Sequence, residues 1–361
     1  MPNIIQQAPN IIQQAIDEIP RRPAAGIAEA VRERWDSLTK PRQSLGRLEE
    51  YVVKLAELEN TAMPRLQRRG LYIFCGDHGI TEEGVSAYPS VVTREMVKNF
   101  VRGGAAVNVL SRQLGLETRI VDAGVSGPKL DGVIDRRIGP GTRNFLREPA
   151  MSPEEAEATV EAGIELGRAA GSEFDIIGIG EMGIGNSTAA SALLCVLTGA
   201  TPDQAAGRGA GLDDAGVARK REVLEEAIAL HRVPKGDPLA ALSAVGGFEI
   251  GMMAGFLVGA AARRLPIVVD GFICGAAFLL ARTFYPPMGE HVFFGHRSAE
   301  HGQAYLLSAA NATPLLDFEM RLGEGTGAAL AIAILTSAVS LYREMATFVE
   351  ASVSDRIPHQ E

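Results

Sequence analysis

Short apolar runs alternate along the chain with longer segments of helical period, and each apolar run ends in glycine or a polar residue. Apolar runs of this kind are typical of buried β-strands, whereas apolar positions three and four residues apart indicate helices. The predicted strands cover 71–75, 117–122, 174–179 and 265–270. The predicted helices cover 28–38, 45–58, 93–114, 152–170, 187–198, 214–231, 248–262, a segment that follows 270 and ends at 281, and 327–341.

This alternation predicts an α/β fold in which helices flank a mainly parallel, Rossmann-like sheet. We expect a helical segment over 1–65, an α/β core over 66–325 and C-terminal helices over 326–361. The two terminal segments are expected to form a smaller helical subdomain. The hexapeptide NIIQQA occurs twice within 3–15, which indicates either an amphipathic arm or a segment that clasps a second subunit.

The composition is globular and the net charge is acidic. Of 361 residues, 46% are hydrophobic and 22% charged, and the net charge is −9. This charge argues against a nucleic-acid partner, which requires a basic face, and favours a small molecule or a second copy of the chain. The scattered Cys75, Cys195 and Cys274 argue against disulfides and for the cytoplasm. The longest apolar stretches, 251–262 and 327–341, are shorter than the roughly 18–20 residues of a membrane span, so none is expected.

The segment GIGEMGIGNS at 178–187 follows a predicted strand and opens a predicted helix. Backbone N–H groups in such a turn can hold a phosphate at the helix N-terminus. The segment matches the dinucleotide pattern G-x-G-x-x-G, but the carboxylate expected about 20 residues later at a strand end is missing. Glu181 would repel a pyrophosphate, yet it suits a ribose hydroxyl. We therefore favour a mononucleotide phosphate-and-sugar site over a dinucleotide site or a glycine-rich turn without a ligand.

Two further segments place charged residues beside glycine. The segment GRGAGLDD at 207–214 leads to a basic triplet whose Lys220 either neutralises an anion or lies on a solvated helix face. Glu324 stands between Gly323 and Gly325, directly before an apolar helix. Poor solvation there would raise the pKa of Glu324 and make it a usable general base, although a carboxylate at this place can also cap the helix.

Three histidines, His291, His296 and His301, are each five residues apart. This spacing does not align them on one helix face, and no cysteine or carboxylate completes a ligand set. We expect them to form hydrogen bonds or helix caps rather than a metal site. The polar segment 77–89 follows the first predicted strand and is expected to form a pocket wall.

Nine segments, taken in order, carry a family resemblance. They are KP…SLGRLE (40–49), GDHG (76–79), EGVSAYP (83–89), GGAA (103–106), GEMGIGNST (180–188), GRGAGLDD (207–214), DGF (270–272), GHRS (295–298) and LGEGTG (322–327). Together they resemble the nicotinate-nucleotide–dimethylbenzimidazole phosphoribosyltransferases from about residue 40 to about residue 348. The sequence departs from the family pattern at Gln43, where glycine is usual. It departs again at Ser90-Val91, where Gln-Glu is usual near the expected base pocket.

The resemblance implies that ribose 5-phosphate passes from nicotinate mononucleotide to 5,6-dimethylbenzimidazole, with inversion from β to α, to give α-ribazole phosphate for the lower ligand of cobalamin. It implies a homodimer and neither a metal nor a redox cofactor. It assigns Glu324 as the general base that removes the benzimidazole proton. The substrate-binding residues it implies are Glu181, Gly183, Asn186, Ser187 and Lys220 at the ribose phosphate, Tyr88, Met182 and Leu322 at the benzimidazole, and Asp270, Gly271 and Ser298 as further pocket wall. Transfer to another aromatic base, an NAD-dependent oxidoreductase and a non-catalytic nucleotide-binding subunit are the alternative hypotheses.

Overall fold

The computed structural model describes residues 10–20 and 23–354, so the first copy of NIIQQA lies outside the described residues. Its centre is a six-stranded sheet in the order β3-β2-β1-β4-β5-β6. The strands are β1 (Arg69–Gly76), β2 (Glu117–Gly124), β3 (Ile134–Asp135), β4 (Ile176–Met182), β5 (Ile267–Val269) and β6 (Val292–Phe294). Each neighbouring pair is parallel, which confirms the predicted α/β class.

The helices that flank the sheet agree with most of the predicted ones. They are α1 (Ile11–Glu18), α2 (Ile27–Ser37), α3 (Arg47–Glu59), α4 (Val91–Arg102), α5 (Ala106–Leu114), α6 (Pro153–Glu173), α7 (Asn186–Thr198), α8 (Pro202–Ala205), α9 (Asp214–His231), α10 (Pro238–Val245), α11 (Phe248–Ala261), α12 (Phe272–Phe284), α13 (Gln303–Ala310) and α14 (Thr326–Glu344). Short 3₁₀ helices cover Gly79–Glu83 and Pro286–Glu290.

The predicted single helix over 93–114 is wrong, because two helices occupy this segment. Gly103 has φ +78 and ends α4, and its backbone N–H donates to the carbonyls of Asn99 and Phe100. Ala105 is extended and precedes α5. Two strands were missed, because β3 and β6 have only two and three residues and are too short to show an apolar period.

The two faces of the sheet bury two separate apolar cores. Side chains alternate along β1, so that Tyr72 and Phe74 join the core beneath α6, α7, α10, α11 and α12. Leu71 and Ile73 join the opposite core, together with α2 to α5 and α14.

The N- and C-terminal helices meet in the second core, and the division into a helical subdomain and an α/β core stays a prediction. The rings of Trp35 in α2 and Tyr342 in α14 lie 5.0 Å apart, and the Tyr342 hydroxyl donates to the carbonyl of Ala62. Leu38 also forms an isolated antiparallel bridge with Thr347. The boundaries at residues 65 and 325 stay a prediction.

Helix α14 is longer than predicted. With 19 residues, it is the one helix among the described residues that is long and apolar enough to cross a membrane. More than half of it is buried against the protein, which is the pattern of a core helix.

The turn before α3 explains why glycine suits position 43, where this sequence departs from the family pattern. Gln43 has φ +57, in the left-handed region that favours glycine. Glutamine therefore takes up a backbone conformation for which the usual glycine is better suited.

The strand order creates a crevice between β1 and β4. The chain leaves β1 towards β2 on one side, whereas β4 leads to β5 on the other. Ligands of open parallel sheets bind in such a crevice, beyond the carboxyl ends of the strands. Here those ends are Gly76 of β1 and Met182 of β4.

Glycines allow α6 and α11 to pack closely on one face of the sheet. A Cβ on Gly163 of α6 would overlap the carbonyl oxygen of Met252. A Cβ on Gly255 of α11 would overlap the carbonyl oxygen of Val160 in return. The two backbones therefore touch directly, and neither helix can accept even a methyl group there.

We predict that Gly255→Ala destabilises the protein, although alanine is the better helix former by about 1 kcal/mol. The added methyl group must push α6 and α11 apart, which costs about 1–3 kcal/mol of unfolding free energy. Urea unfolding measures this change. The matched control is Ser172→Ala on the exposed face of α6, which should change stability by less than about 0.5 kcal/mol. A Gly255→Ala protein as stable as the wild type would contradict the packing described.

Candidate active site

A cavity of about 410 Å³ opens beyond the carboxyl ends of β1, β4 and β5. It contains all the predicted site residues except Lys220, which lies behind its wall. The predicted residues in the lining are Tyr88, Glu181, Met182, Gly183, Asn186, Ser187, Asp270, Gly271, Ser298, Leu322 and Glu324. The fold thus brings together residues that are up to 236 positions apart in the chain (Tyr88 to Glu324).

The β4–α7 turn forms one wall of the cavity, but it does not have the dinucleotide-binding form. Gly178 and Gly180 lie inside strand β4 rather than in the turn. A Cβ on Gly180 would overlap the backbone of Glu324 and Gly325, so this glycine serves strand–loop packing. Gly185, with φ +95, then begins α7. The match to G-x-G-x-x-G is therefore coincidental.

Lys220 supports the N-terminus of α7 from inside the protein. Its Nζ donates to Ser187 Oγ at 2.9 Å, and its side chain is almost fully buried. The alternative of a solvated helix face is therefore wrong. Burial lowers the pKa of Lys220 to about 8, and the nearby Glu300 partly opposes this effect. An anion could bind here, where this ammonium and the positive end of α7 lie together, although the N–H groups of Asn186 and Thr188 already donate to the carbonyls of Gly183 and Gly185.

Glu181 lies at the end of β4 and is fully buried. Its carboxyl group accepts a hydrogen bond from the Asn186 amide. Burial, with smaller contributions from the carboxylates of Asp270, Glu249 and Glu324, raises the pKa of Glu181 to about 8, although the Asn186 bond opposes the shift. Without a ligand, this side chain is thus mostly protonated at neutral pH, and it can donate as well as accept a hydrogen bond.

Glu324 has a backbone conformation that aims its side chain into the cavity. It has φ +62, between Gly323 at +82 and Gly325 at +89. Gly325, and not Glu324, is the N-cap of α14. Burial raises the pKa of Glu324, a hydrogen bond from the Val107 backbone lowers it, and the charge of Asp270 raises it further. Within the described part of the chain, Glu324 Oε2 is buried without a hydrogen-bond partner.

Asp270 fastens the Glu324 segment to the sheet. Its two carboxylate oxygens accept hydrogen bonds from the backbone N–H groups of Gly325 at 3.1 Å and Ala328 at 2.9 Å. His296 Nδ1 lies 3.5 Å from Asp270 Oδ1. Burial raises the pKa of Asp270, while His296 and the backbone N–H groups oppose that shift.

The three histidines have different neighbours. His296 faces Asp270, and His301 Nε2 is 2.8 Å from the carbonyl oxygen of Asp203. His291 is buried elsewhere, and burial lowers its pKa to about 4. Over residues 10–20 and 23–354, no group of three or more His, Cys, Asp or Glu could hold a metal ion.

Sequence reasoning missed part of the lining. The segment 77–89 was expected to form a wall and contributes Val85, Ser86 and Tyr88. The missed residues include Val92, Met96, Arg208, Leu212, Ile273, His296, Glu300 and Arg321. Val92 and Met96 are four residues apart on α4, so helical spacing could have signalled a shared face. Ser90 and Val91, where the sequence departs from the family pattern, are not among the residues that line this cavity. Ser90 Oγ instead lies 3.0 Å from Thr81 Oγ1.

Comparison with known proteins places this site in a family. A family model described as phosphoribosyltransferase (DBI_PRT) matches residues 21–353. The nicotinate-nucleotide–dimethylbenzimidazole phosphoribosyltransferase of Cupriavidus necator is 51% identical over 90% of this chain and 94% of its own. That of Chloroflexus aggregans is 47% identical over 91% of this chain and 94% of its own. A crystal structure of the enzyme from Thermus thermophilus has 42% identity and a TM-score of 0.85, and it covers 92% of this chain and 99% of that one.

The chain belongs to this phosphoribosyltransferase family. The expected family is thereby confirmed, and so are the enzyme class and the fold. The oxidoreductase hypothesis depended on the G-x-G-x-x-G match. Neither the family of the chain nor the position of these glycines supports it. The phosphoribosyltransferase cavity has the N-terminus of α7, three buried carboxyl groups and several apolar side chains in its lining.

We predict that Glu181→Gln stabilises the unliganded phosphoribosyltransferase relative to the wild type, and that this gain is larger at pH 8.5 than at pH 5.5. The folded-state pKa of Glu181 lies near 8, above its usual 4.5, so the wild type loses stability as pH rises between these values. Glutamine stays neutral and does not share that loss. Thermal unfolding at both pH values should show the variant gaining roughly 3 °C or more on the wild type at pH 8.5. Exposed Glu226→Gln is the control, and an equal gain there would refute the explanation.

Proposed function

We propose that this enzyme transfers ribose 5-phosphate from nicotinate mononucleotide to 5,6-dimethylbenzimidazole, giving α-ribazole 5'-phosphate and nicotinate. The observation that carries the proposal is a buried carboxyl oxygen of Glu324 that has no hydrogen-bond partner among the described residues, in a cavity also lined by the N-terminus of α7. The relatives that match over nine-tenths of the chain are named for this pair of substrates.

The 5'-phosphate binds at the N-terminus of α7. Gly183, Asn186 and Ser187 line the cavity there, and Lys220 donates to Ser187 from behind. A bound phosphate dianion favours the charged form of Lys220 and thus reverses the effect of burial on its pKa. A backbone turn and one ammonium group together hold the phosphate.

The ribose lies beside Glu181. This carboxyl group is held by Asn186 and is neutral in the unliganded protein at neutral pH, so it can hydrogen-bond a ribose hydroxyl without repelling the phosphate. Asp270, Gly271 and Ser298 complete the wall on the β5 side. Fixing the sugar in this way holds the anomeric carbon at one position relative to Glu324. This positioning is the main source of the rate enhancement.

The benzimidazole lies against the apolar wall, between Tyr88, Met182 and Leu322. One ring nitrogen attacks the anomeric carbon with its lone pair. The bond from that carbon to the pyridinium nitrogen breaks, and its electron pair goes to the ring nitrogen, which becomes neutral as nicotinate leaves. Attack on the face opposite the leaving group inverts the configuration from β to α.

Glu324 removes the proton from the second ring nitrogen. Without this step, the product would keep a positive charge on a doubly substituted ring. The raised pKa of Glu324 makes it a stronger base than an exposed glutamate. The nicotinate nitrogen is cationic before the bond breaks, so its departure needs no acid.

We predict that Glu324→Gln folds but loses turnover by about 10²–10⁴-fold, since glutamine cannot accept the proton. The assay mixes enzyme with both substrates and detects nicotinate and α-ribazole phosphate by chromatography and mass spectrometry. Nearby Glu319→Gln, on the exposed surface, is the matched control and should keep wild-type turnover. Turnover of Glu324→Gln within a few-fold of the control would refute the base assignment. A wild type active only with purines or phenols would keep the transfer and correct the acceptor.

The enzyme acts in the cytoplasm as a homodimer. All three cysteines are free and buried, as suits a reducing compartment. Tyr88 and Leu322 at the cavity are 51% and 57% exposed, and neighbouring Phe318 is 66% exposed, which forms an apolar rim that a second copy would cover. Sedimentation velocity should give twice the monomer mass, and Phe318→Glu should shift the protein to monomer. A monomeric wild type at micromolar concentration would contradict this.

A further inference from the structure

A carboxylate and a histidine form a buried pair directly behind the cavity wall. Glu249 is the one charged residue of helix α11, whose other residues are apolar or glycine. Its Oε1 lies 2.7 Å from His78 Nε2, and neither side chain has exposed surface. In the mechanism above, neither residue contacts a substrate.

Glycines on both sides make room for the His78–Glu249 pair. A Cβ on Gly76, at the end of β1, would lie 2.7 Å from Glu249 Oε2. A Cβ on Gly247, just before α11, would overlap the His78 ring. Because these neighbouring positions are glycines, the space that they leave is filled by the side chains of His78 and Glu249.

His78 lies beneath the turn that begins α7. A Cβ on Gly183 would be 3.4 Å from the His78 ring, and one on Gly185 would be 3.1 Å from His78 Cβ. The backbone N–H of Ile184, between these glycines, donates to Thr93 Oγ1 at 3.0 Å. The turn is thus held by Thr93 through a hydrogen bond, and the His78 side chain lies next to it.

Stability does not account for the pair. Removing two polar groups from water is expensive, and a well-packed apolar pair of similar size is often as stable or more so. Among the described residues, His78 Nδ1 and Glu249 Oε2 also lack hydrogen-bond partners, which adds to the cost. What the pair supplies is a fixed orientation of the imidazole, since the carboxylate holds one ring nitrogen.

We propose that Glu249 and His78 are positioning residues for the phosphate site. Glu249 orients the His78 ring, and the ring sets the height of the Gly183–Gly185 turn and hence the direction of the first N–H groups of α7. This inference rests on the proposed function, in which that helix end binds the 5'-phosphate of the donor. Of the proposed benzimidazole contacts, Tyr88, Met182 and Leu322, Met182 alone adjoins this turn, so we expect the pair to act mainly on the donor.

Two substitutions of Glu249 provide the test. Glu249→Gln keeps a hydrogen-bond acceptor for His78, whereas Glu249→Leu has similar volume and none. We expect Glu249→Leu to raise the KM for nicotinate mononucleotide about tenfold or more, with the KM for dimethylbenzimidazole unchanged within about twofold. Glu249→Gln should restore a donor KM close to that of the wild type. A loss of general packing would not separate the two substrates in this way.

A third variant covers the case in which Glu249→Leu does not fold. His78→Gln retains a donor for Glu249 but lacks the ring that lies next to Gly183, so it should also raise the donor KM. A donor KM of His78→Gln or of folded Glu249→Leu within twofold of wild type would overturn the proposal. An equal rise in both KM values, or a Glu249→Gln protein as impaired as Glu249→Leu, would overturn it too.

Calorimetry with inorganic phosphate separates this proposal from the proposed function. If the wild type shows no transfer but binds phosphate, the reaction is wrong and the role of the pair can still be measured by this binding. Phosphate affinity should then fall in Glu249→Leu and His78→Gln and stay near wild type in Glu249→Gln. Equal affinity in all four proteins would overturn the positioning role by itself.

Discussion

The site depends on the way in which Asp270 holds the backbone before α14. Its two oxygens accept the N–H groups of Gly325 and Ala328, and the same segment lies against Gly180 of β4. The start of α14 is therefore fixed on the sheet over β4 and β5. Glu324, one residue earlier, is left with a left-handed backbone and a side chain in the cavity. A longer side chain at Asp270, or any side chain at Gly180, would displace it.

The clustering of carboxyl groups in the cavity has an electrostatic consequence. Burial is the largest cause of the raised pKa values of Glu181, Asp270 and Glu324, and the charge of Asp270 raises the pKa values of Glu181 and Glu324 further. The unliganded site thus carries less negative charge than its composition implies, which allows an anionic substrate to enter. The same conditions favour a basic Glu324, since its proton affinity increases with burial.

Much of the architecture was readable from local patterns, and the failures have physical causes. Buried strands such as β1 and helices such as α11 are long enough to show their period. β3 and β6 are too short to show one, and Gly103 ended α4 inside a segment of continuous helical spacing. The chemical motifs were found because glycines and carboxylates collect at strand ends. Val92 and Met96 were missed, because an apolar residue that lines a cavity looks the same in sequence as one in the core.

The sequence by itself determined the parallel α/β class, the family and many of the polar residues that line the cavity, because these depend on local period and on motifs with little freedom to vary. Only the tertiary structure decided which glycines line the cavity and which pack against neighbouring segments. Gly178 and Gly180 belong to strand contacts, whereas Gly183 and Gly185 shape the turn. It likewise decided that Lys220 faces inward and that Glu249 reaches His78. Such contacts join residues far apart in the chain, and only the packing of the helices on the sheet fixes their distances.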